Sequence, residues 1–130
     1  MKKTILIVDD EKELCKILSD SLSQNHYRVF VAFDGKRALQ LVKEEKPDLI
    51  LLDIKMPRMN GIEVLKKIKK MKKEIVVIML TAYGTLETAR KAMKLGAYDY
   101  LTKPFDLFNL KSLVKEALGK VSKPMKKGKR

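Results

Sequence analysis

Five apolar runs recur along the chain at intervals of roughly twenty to thirty residues, the rhythm of strand-and-helix units repeated in series. They are Ile5 to Val8, Val29 to Ala32, Leu49 to Leu52, Ile75 to Leu80 and Ala97 to Leu101. After each comes a stretch whose apolar residues return with helical spacing. The last is the clearest, with Leu110, Leu113, Val114, Ala117 and Leu118 at i, i+3, i+4, i+7 and i+8. Leu14, Leu18, Ser21 and Leu22 mark one face of a first helix, and Leu39 and Val42 a second. Ile62, Leu65 and Ile68 mark a third, and Leu86, Ala89 and Met93 a fourth.

Strands alternating with helices imply a mostly parallel sheet with helices on both faces. A parallel strand buried on both sides reads as a continuous run of Val, Ile and Leu. The first, third and fourth runs do so. The second is short and the fifth contains Asp99, so these two are expected at the edges. The expected fold is therefore α/β, a flavodoxin-like doubly wound five-stranded parallel sheet in the order 2-1-3-4-5. The order 3-2-1-4-5 would put the pure Leu/Ile third run at an edge, which fits less well. One domain, residues 1–119, accounts for this pattern, and a chain of 130 residues is long enough to bury its core. Gly119 is expected to stop the last helix and Pro124 to prevent its continuation, leaving 120–130 as a basic, disordered tail.

The formal charge of +13 raises the question of nucleic acid. Six basic groups and no acid lie in residues 119–130, and six more are Lys66, Lys67, Lys69, Lys70, Lys72 and Lys73; the remaining residues sum to only +1. The excess is a tail and one local patch, read as solvated groups, and nucleic acid is not an expected partner. Cys15 is the only cysteine, which excludes an intrachain disulfide and a cysteine-rich metal site. It is expected to be a small buried apolar group on a helix. No apolar run is long enough to span a bilayer, and Ile5 to Val8 is too short for a signal-peptide core, so a cytoplasmic protein with no membrane partner is expected. The lone His26 is expected in a surface loop.

In an open α/β sheet, ligands bind beyond the carboxyl ends of the strands where chain order reverses, here between strands one and three. The first strand ends in Asp9-Asp10-Glu11, the third in Asp53, the fourth in Thr81 and the fifth in Lys103. A single acid after a strand means little, because Asp often caps the next helix. Here four elements deliver polar groups to one edge. Two carboxylates ~4 Å apart repel by about 4 kcal/mol at an effective dielectric near 20. Three acids therefore require cations, and Lys103 supplies one charge. A hard divalent ion with oxygen ligands suits the rest, and Mg²⁺ is the expected cofactor because it shares its positions with water and phosphate oxygens. Asp53, alone at the end of a central strand, is the candidate nucleophile toward phosphorus, with Asp9 and Asp10 as ion holders. The chain has neither GxxxxGK[ST] nor GxGxxG, so bound ATP is not the expected donor.

At these residues the sequence resembles the receiver domains of two-component response regulators. The matching segments are Ile7-Val8-Asp9-Asp10-Glu11, Leu51 to Gly61 around Asp53, Leu80-Thr81-Ala82-Tyr83-Gly84, Gly96-Ala97-Tyr98-Asp99-Tyr100 and Leu101-Thr102-Lys103-Pro104-Phe105. The resemblance implies that Asp53 accepts phosphoryl from a phosphohistidine on a sensor histidine kinase or a phosphotransfer protein. It implies that Asp10, Asp53 and the Lys55 carbonyl ligate Mg²⁺, with Asp9 acting through water. Lys103 and Thr81 would hold phosphoryl oxygens, Lys103-Pro104 would be cis, and Gly61 would shape the loop after the third strand. On phosphorylation Thr81 and Tyr100 would move together and alter the face of the fourth helix, fifth strand and fifth helix, where a downstream target binds. Leu14, Ile17, Pro104 and Phe105 would form the rim that docks the histidine-bearing partner. Lys55 and Tyr83 resemble residues of single-domain phosphorelay intermediates, which implies slow self-hydrolysis.

Four functions compete on these residues. A phosphorylated single-domain switch or phosphorelay intermediate comes first, and the receiver portion of a transcription activator second. A Mg²⁺-dependent phosphohydrolase is disfavoured, because the DxDx[TV] arrangement of aspartyl-nucleophile phosphatases is missing and there is no cap to enclose a substrate. A nucleic-acid module would rest on the lysine patch and tail alone. The protein is not expected to be a dedicated enzyme, since it promotes only its own phosphotransfer and dephosphorylation.

Overall fold

The computed structural model describes residues 2–82 and 85–121. Ten elements alternate: β1 (Thr4–Val8), α1 (Lys12–Gln24), β2 (Arg28–Ala32), α2 (Gly35–Glu45), β3 (Leu49–Asp53), α3 (Gly61–Met71), β4 (Val76–Thr81), α4 (Leu86–Lys94), β5 (Asp99–Thr102) and α5 (Leu107–Val121). The strands form one sheet in the order β2-β1-β3-β4-β5, and every neighbouring pair is parallel. The expected order is the one observed. β1, β3 and β4 are buried along their whole length, whereas β2 and β5 carry exposed positions.

Strand side chains alternate between two cores. Leu6, Val8, Ile50, Leu52, Val77 and Met79 pack with α2 and α3 on one face. Ile5, Ile7, Leu49, Leu51, Ile78 and Leu80 pack with α1 and α5 on the other. Burying one such side chain contributes roughly 1.5–3 kcal/mol, so the three central strands hold most of the driving force. Three helix starts are fixed by side-chain caps: Asp34 accepts from the Arg37 amide, Asn60 from Glu63 and Thr85 from Thr88.

Two expectations need correction. α4 buries Ala89 and Ala92, while Leu86 and Met93 stand 66% and 41% exposed, so its apolar face is not Leu86, Ala89 and Met93. The two alanines are the residues this short helix buries, and Ala92 joins the core that β1, β3 and β4 share with α2 and α3. Gly119 does not stop α5, which runs through it to Val121. A Cβ added there would meet nothing within 4 Å among the described residues, and the helix continues past it. The tail segment 122–130 lies outside the described residues. His26 is exposed in the α1–β2 connection, and Cys15 is buried on α1, both as expected.

Candidate functional site

The carboxyl ends of the strands bring the predicted acids together. Parallel register aligns Val8 with Leu52 and Asp53 with Leu80, so the residues just beyond β1 and at the ends of β3 and β4 share one rim. Carboxylate oxygens of Asp9, Asp10 and Asp53 lie within 4.8 Å of one another. Asp9 is fully buried and Asp53 is 4% exposed, while Asp10 faces solvent. Thr81 is buried at the end of β4, and its carbonyl accepts from the Lys103 amide at 2.7 Å, which ties β4 to the residue after β5.

Lys103 reaches back across the rim. Its Nζ donates to Asp9 Oδ2 at 2.7 Å and lies 3.6 Å from Glu11 Oε2 and 3.8 Å from Asp53 Oδ1. The Lys103-Pro104 peptide is cis, as the motif implied. Burial alone would lower this ammonium's pKa; the hydrogen bond and charge of Asp9, then Asp53 and Glu11, outweigh it and raise the pKa. Asp53 shows the opposite balance. Burial, followed by the charge of Asp9, pushes its carboxyl up to about 6, against the pull of Lys103 and of the Lys55 amide, which donates to Asp53 Oδ1 at 3.3 Å. A group so placed gains when a further cation arrives.

The β3–α3 loop is held just as closely. The Gly61 amide donates to the Ile54 carbonyl at 2.7 Å, and a Cβ on Gly61 would stand 2.2 Å from the Asp53 carbonyl oxygen. Gly61 shapes the loop as expected, through close approach rather than an unusual φ. Two supports escaped the sequence reading. Glu11 faces Lys103, and the Cys15 thiol donates to the Asp9 carbonyl at 3.3 Å, bracing the acid pair from below. Burial pushes that thiol up to about 12, so Cys15 is inert. Only the place of Glu11 directly after Asp9-Asp10 hinted at the first, and no motif marks the second.

Of the four residues expected to dock a partner, Leu14, Pro104 and Phe105 line one cavity of about 320 Å³ with Glu11, Ala82 and Lys103. Ile17 is 55% exposed and is not among its lining residues. Tyr100 is 38% exposed on β5, and Tyr83 lies outside the described residues. The lysine patch is less uniform than expected. Lys69 folds back, its Nζ donating to the carbonyls of Lys73 at 3.0 Å and Ile75 at 2.6 Å, while Lys66, Lys67 and Lys70 remain in solvent. Among the described residues, no helix is long and apolar enough to cross a membrane.

The metal fit rests on donor chemistry. Three carboxylates from two strand ends, two of them withdrawn from water, form an oxygen-only set of the kind hard divalent cations take.

Comparison with known proteins gives the same reading. The family model "response regulator receiver domain" matches residues 5–115. The sporulation initiation phosphotransferase F of Bacillus subtilis (strain 168) is 42% identical over 91% of this chain and 95% of its own length. The regulatory protein AtoC of Escherichia coli (strain K12) is also 42% identical over 88% of this chain, but that match spans only 25% of AtoC. A CheY-like receiver domain protein from Methanospirillum hungatei JF-1 superposes with a TM-score of 0.91 at 33% identity, covering 93% of this chain and 97% of that one. Fold, rim geometry and motifs therefore converge: the chain belongs to the receiver domains of response regulators, the switches of two-component and phosphorelay systems.

Proposed function

We propose that Asp53 is the phosphoryl acceptor of this receiver and that the donor is a phosphohistidine on a sensor histidine kinase or a phosphotransfer protein. The observation that carries the reading is the cluster of Asp9, Asp10 and Asp53 oxygens within 4.8 Å, with the Lys103 ammonium 3.8 Å from Asp53. An Asp53 carboxylate oxygen bonds to phosphorus while the donor's P–N bond breaks, and the imidazole leaves with the electron pair and takes a proton from solvent. Lys103 pairs with phosphoryl oxygens and Thr81 donates to one of them. Asp10, Asp53 and the Lys55 carbonyl would hold Mg²⁺, with Asp9 contributing through water. When bound, that ion neutralises the acids and the incoming phosphoryl oxygens.

Incubation with acetyl phosphate and Mg²⁺, followed by intact-mass measurement, tests this directly. Wild type is expected to gain one phosphoryl group and Asp53→Asn none; a mass gain that survives in Asp53→Asn sinks the assignment.

Phosphorylation adds negative charge beside Thr81, and the response spreads to the α4–β5–α5 face through Thr81 and Tyr100. That face already exposes Leu86, Met93, Tyr100 and Phe108, a suitable apolar surface for a downstream target. The cavity of Leu14, Pro104 and Phe105 beside Lys103 supports docking of the histidine-bearing partner there, with Ile17 farther along α1. The protein works in the cytoplasm and is not a dedicated enzyme, since it promotes only its own phosphotransfer and dephosphorylation. Lys55 beside Asp53 shields the phosphoryl group from water. Lys55→Asn is expected to speed decay of the phosphorylated protein severalfold, and an unchanged rate removes the idea. The match to one quarter of AtoC favours a second reading, the receiver portion of a transcription activator. Sequencing through the end of the gene separates the two.

A further inference from the structure

Two cavities lie beside the acid cluster and differ in their charge balance. The cavity of Leu14, Ala82, Pro104 and Phe105 also holds Glu11 and Lys103, one charge of each sign. On the other side, a groove of about 460 Å³ runs between α3 and α4, and Thr81 is among its lining residues. Its floor includes Met56 and Ile62, and its charged walls come from three elements: Lys55 on the loop, Glu63 and Lys66 on α3, and Lys91 on α4. Three ammonium groups against one carboxylate give the groove a positive balance. Lys66 and Lys91 are exposed and carry no role in the acid cluster.

We infer that this α3–α4 groove is the entry site for small anionic phosphodonors, with Lys66 and Lys91 setting preference for donor charge, while a protein donor uses the cavity of Leu14, Pro104 and Phe105. The inference rests on Asp53 being the acceptor. A groove with an excess of one sign of charge concentrates counter-ions, and the gain grows with the charge of the ligand and falls with salt. Acyl phosphates, doubly charged at neutral pH, suit it. The Asp53 oxygen bonds to phosphorus, the bond from phosphorus to the acyl oxygen breaks, and the carboxylate leaves with its electron pair. No proton transfer is needed.

The test compares initial rates of phosphorylation by acetyl phosphate and by the singly charged phosphoramidate, in Mg²⁺, for wild type and Lys66→Glu/Lys91→Glu. Lys67→Glu/Lys70→Glu serves as the control; it makes the same change in net charge on α3 residues that do not line the groove. The groove variant is expected to lose about fivefold with acetyl phosphate at low ionic strength, less with phosphoramidate, and little of either at high salt. The control is expected to stay near wild type. Equal losses in the two variants mean that net charge alone acts, and equal losses with both donors mean a general defect; either result overturns the inference. If wild type itself gains no phosphoryl group, the acceptor assignment is what fails.

Discussion

Asp53→Asn is expected to stabilise the metal-free protein at pH 8 by ~2–3 kcal/mol, and to change its stability by only ~0.5 kcal/mol near pH 4. Burial and the charge of Asp9 hold the Asp53 carboxyl at about 6, above its ordinary value of 3.8. The unfolded chain therefore releases this proton near pH 4, while the folded protein keeps it until about pH 6. Between these limits the folded state binds more protons, so this group's contribution to stability falls as pH rises. Above the window the folded protein carries an ionised carboxylate in a place that disfavours it, and an amide removes that cost. Below it both proteins present a neutral side chain, and their stabilities converge. Urea unfolding across pH 4–8, with chelator, reads the difference. Mg²⁺ should narrow it, because a cation among the acids stabilises the wild-type carboxylate and has little to gain from the amide. A variant no more stable than wild type at pH 8 with chelator would show that Asp53 is ionised in the apo protein without penalty.

That tension explains which parts of the site were legible from sequence. The sheet order followed from composition, because the Leu/Ile run of β3 cannot sit at an edge without exposing it to water, whereas Asp99 in β5 can. The acid cluster followed from topology, since strand ends in a parallel sheet share one rim. What sequence could not show was the division of labour between neighbours. Asp9 and Asp10 look alike as letters, yet one is fully buried against Lys103 and the other faces solvent, because successive residues leaving a strand point in different directions. The Cys15 thiol under Asp9 depends on how α1 turns back over β1, which no local pattern encodes. On α4 the helical period was read correctly in spacing and wrongly in phase. The helix has four apolar residues beyond the alanines' reach of the sheet or against it, Leu86, Ala89, Ala92 and Met93, and hydrophobicity favoured the large ones. Packing selected the small ones and left Leu86 and Met93 on the proposed output face.

Gly61→Ala is expected to cost ~3 kcal/mol or more and lower the melting temperature by about 10 °C, although alanine favours helices and Gly61 begins one. The added methyl would lie 2.2 Å from the Asp53 carbonyl oxygen and 2.7 Å from the Ile54 Cα. Both obstacles are backbone, so no rotamer change relieves the overlap; α3 must retreat or the end of β3 must move. Either movement stretches the 2.7 Å hydrogen bond from the Gly61 amide to Ile54 and displaces the proposed acceptor, Asp53. Mg²⁺ affinity and phosphorylation rate should therefore fall together with stability. Gly119→Ala is the matched comparison. Among the described residues nothing lies within 4 Å of its added methyl, and it stands inside α5, so the same substitution should stabilise by about 0.5 kcal/mol and leave the site alone. Thermal unfolding of the two variants, read beside Mg²⁺ titration, separates close backbone approach from helix propensity. If Gly61→Ala melts within 2 °C or so of wild type, the loop after β3 has room to give, and its grip on Asp53 is looser than the geometry implies.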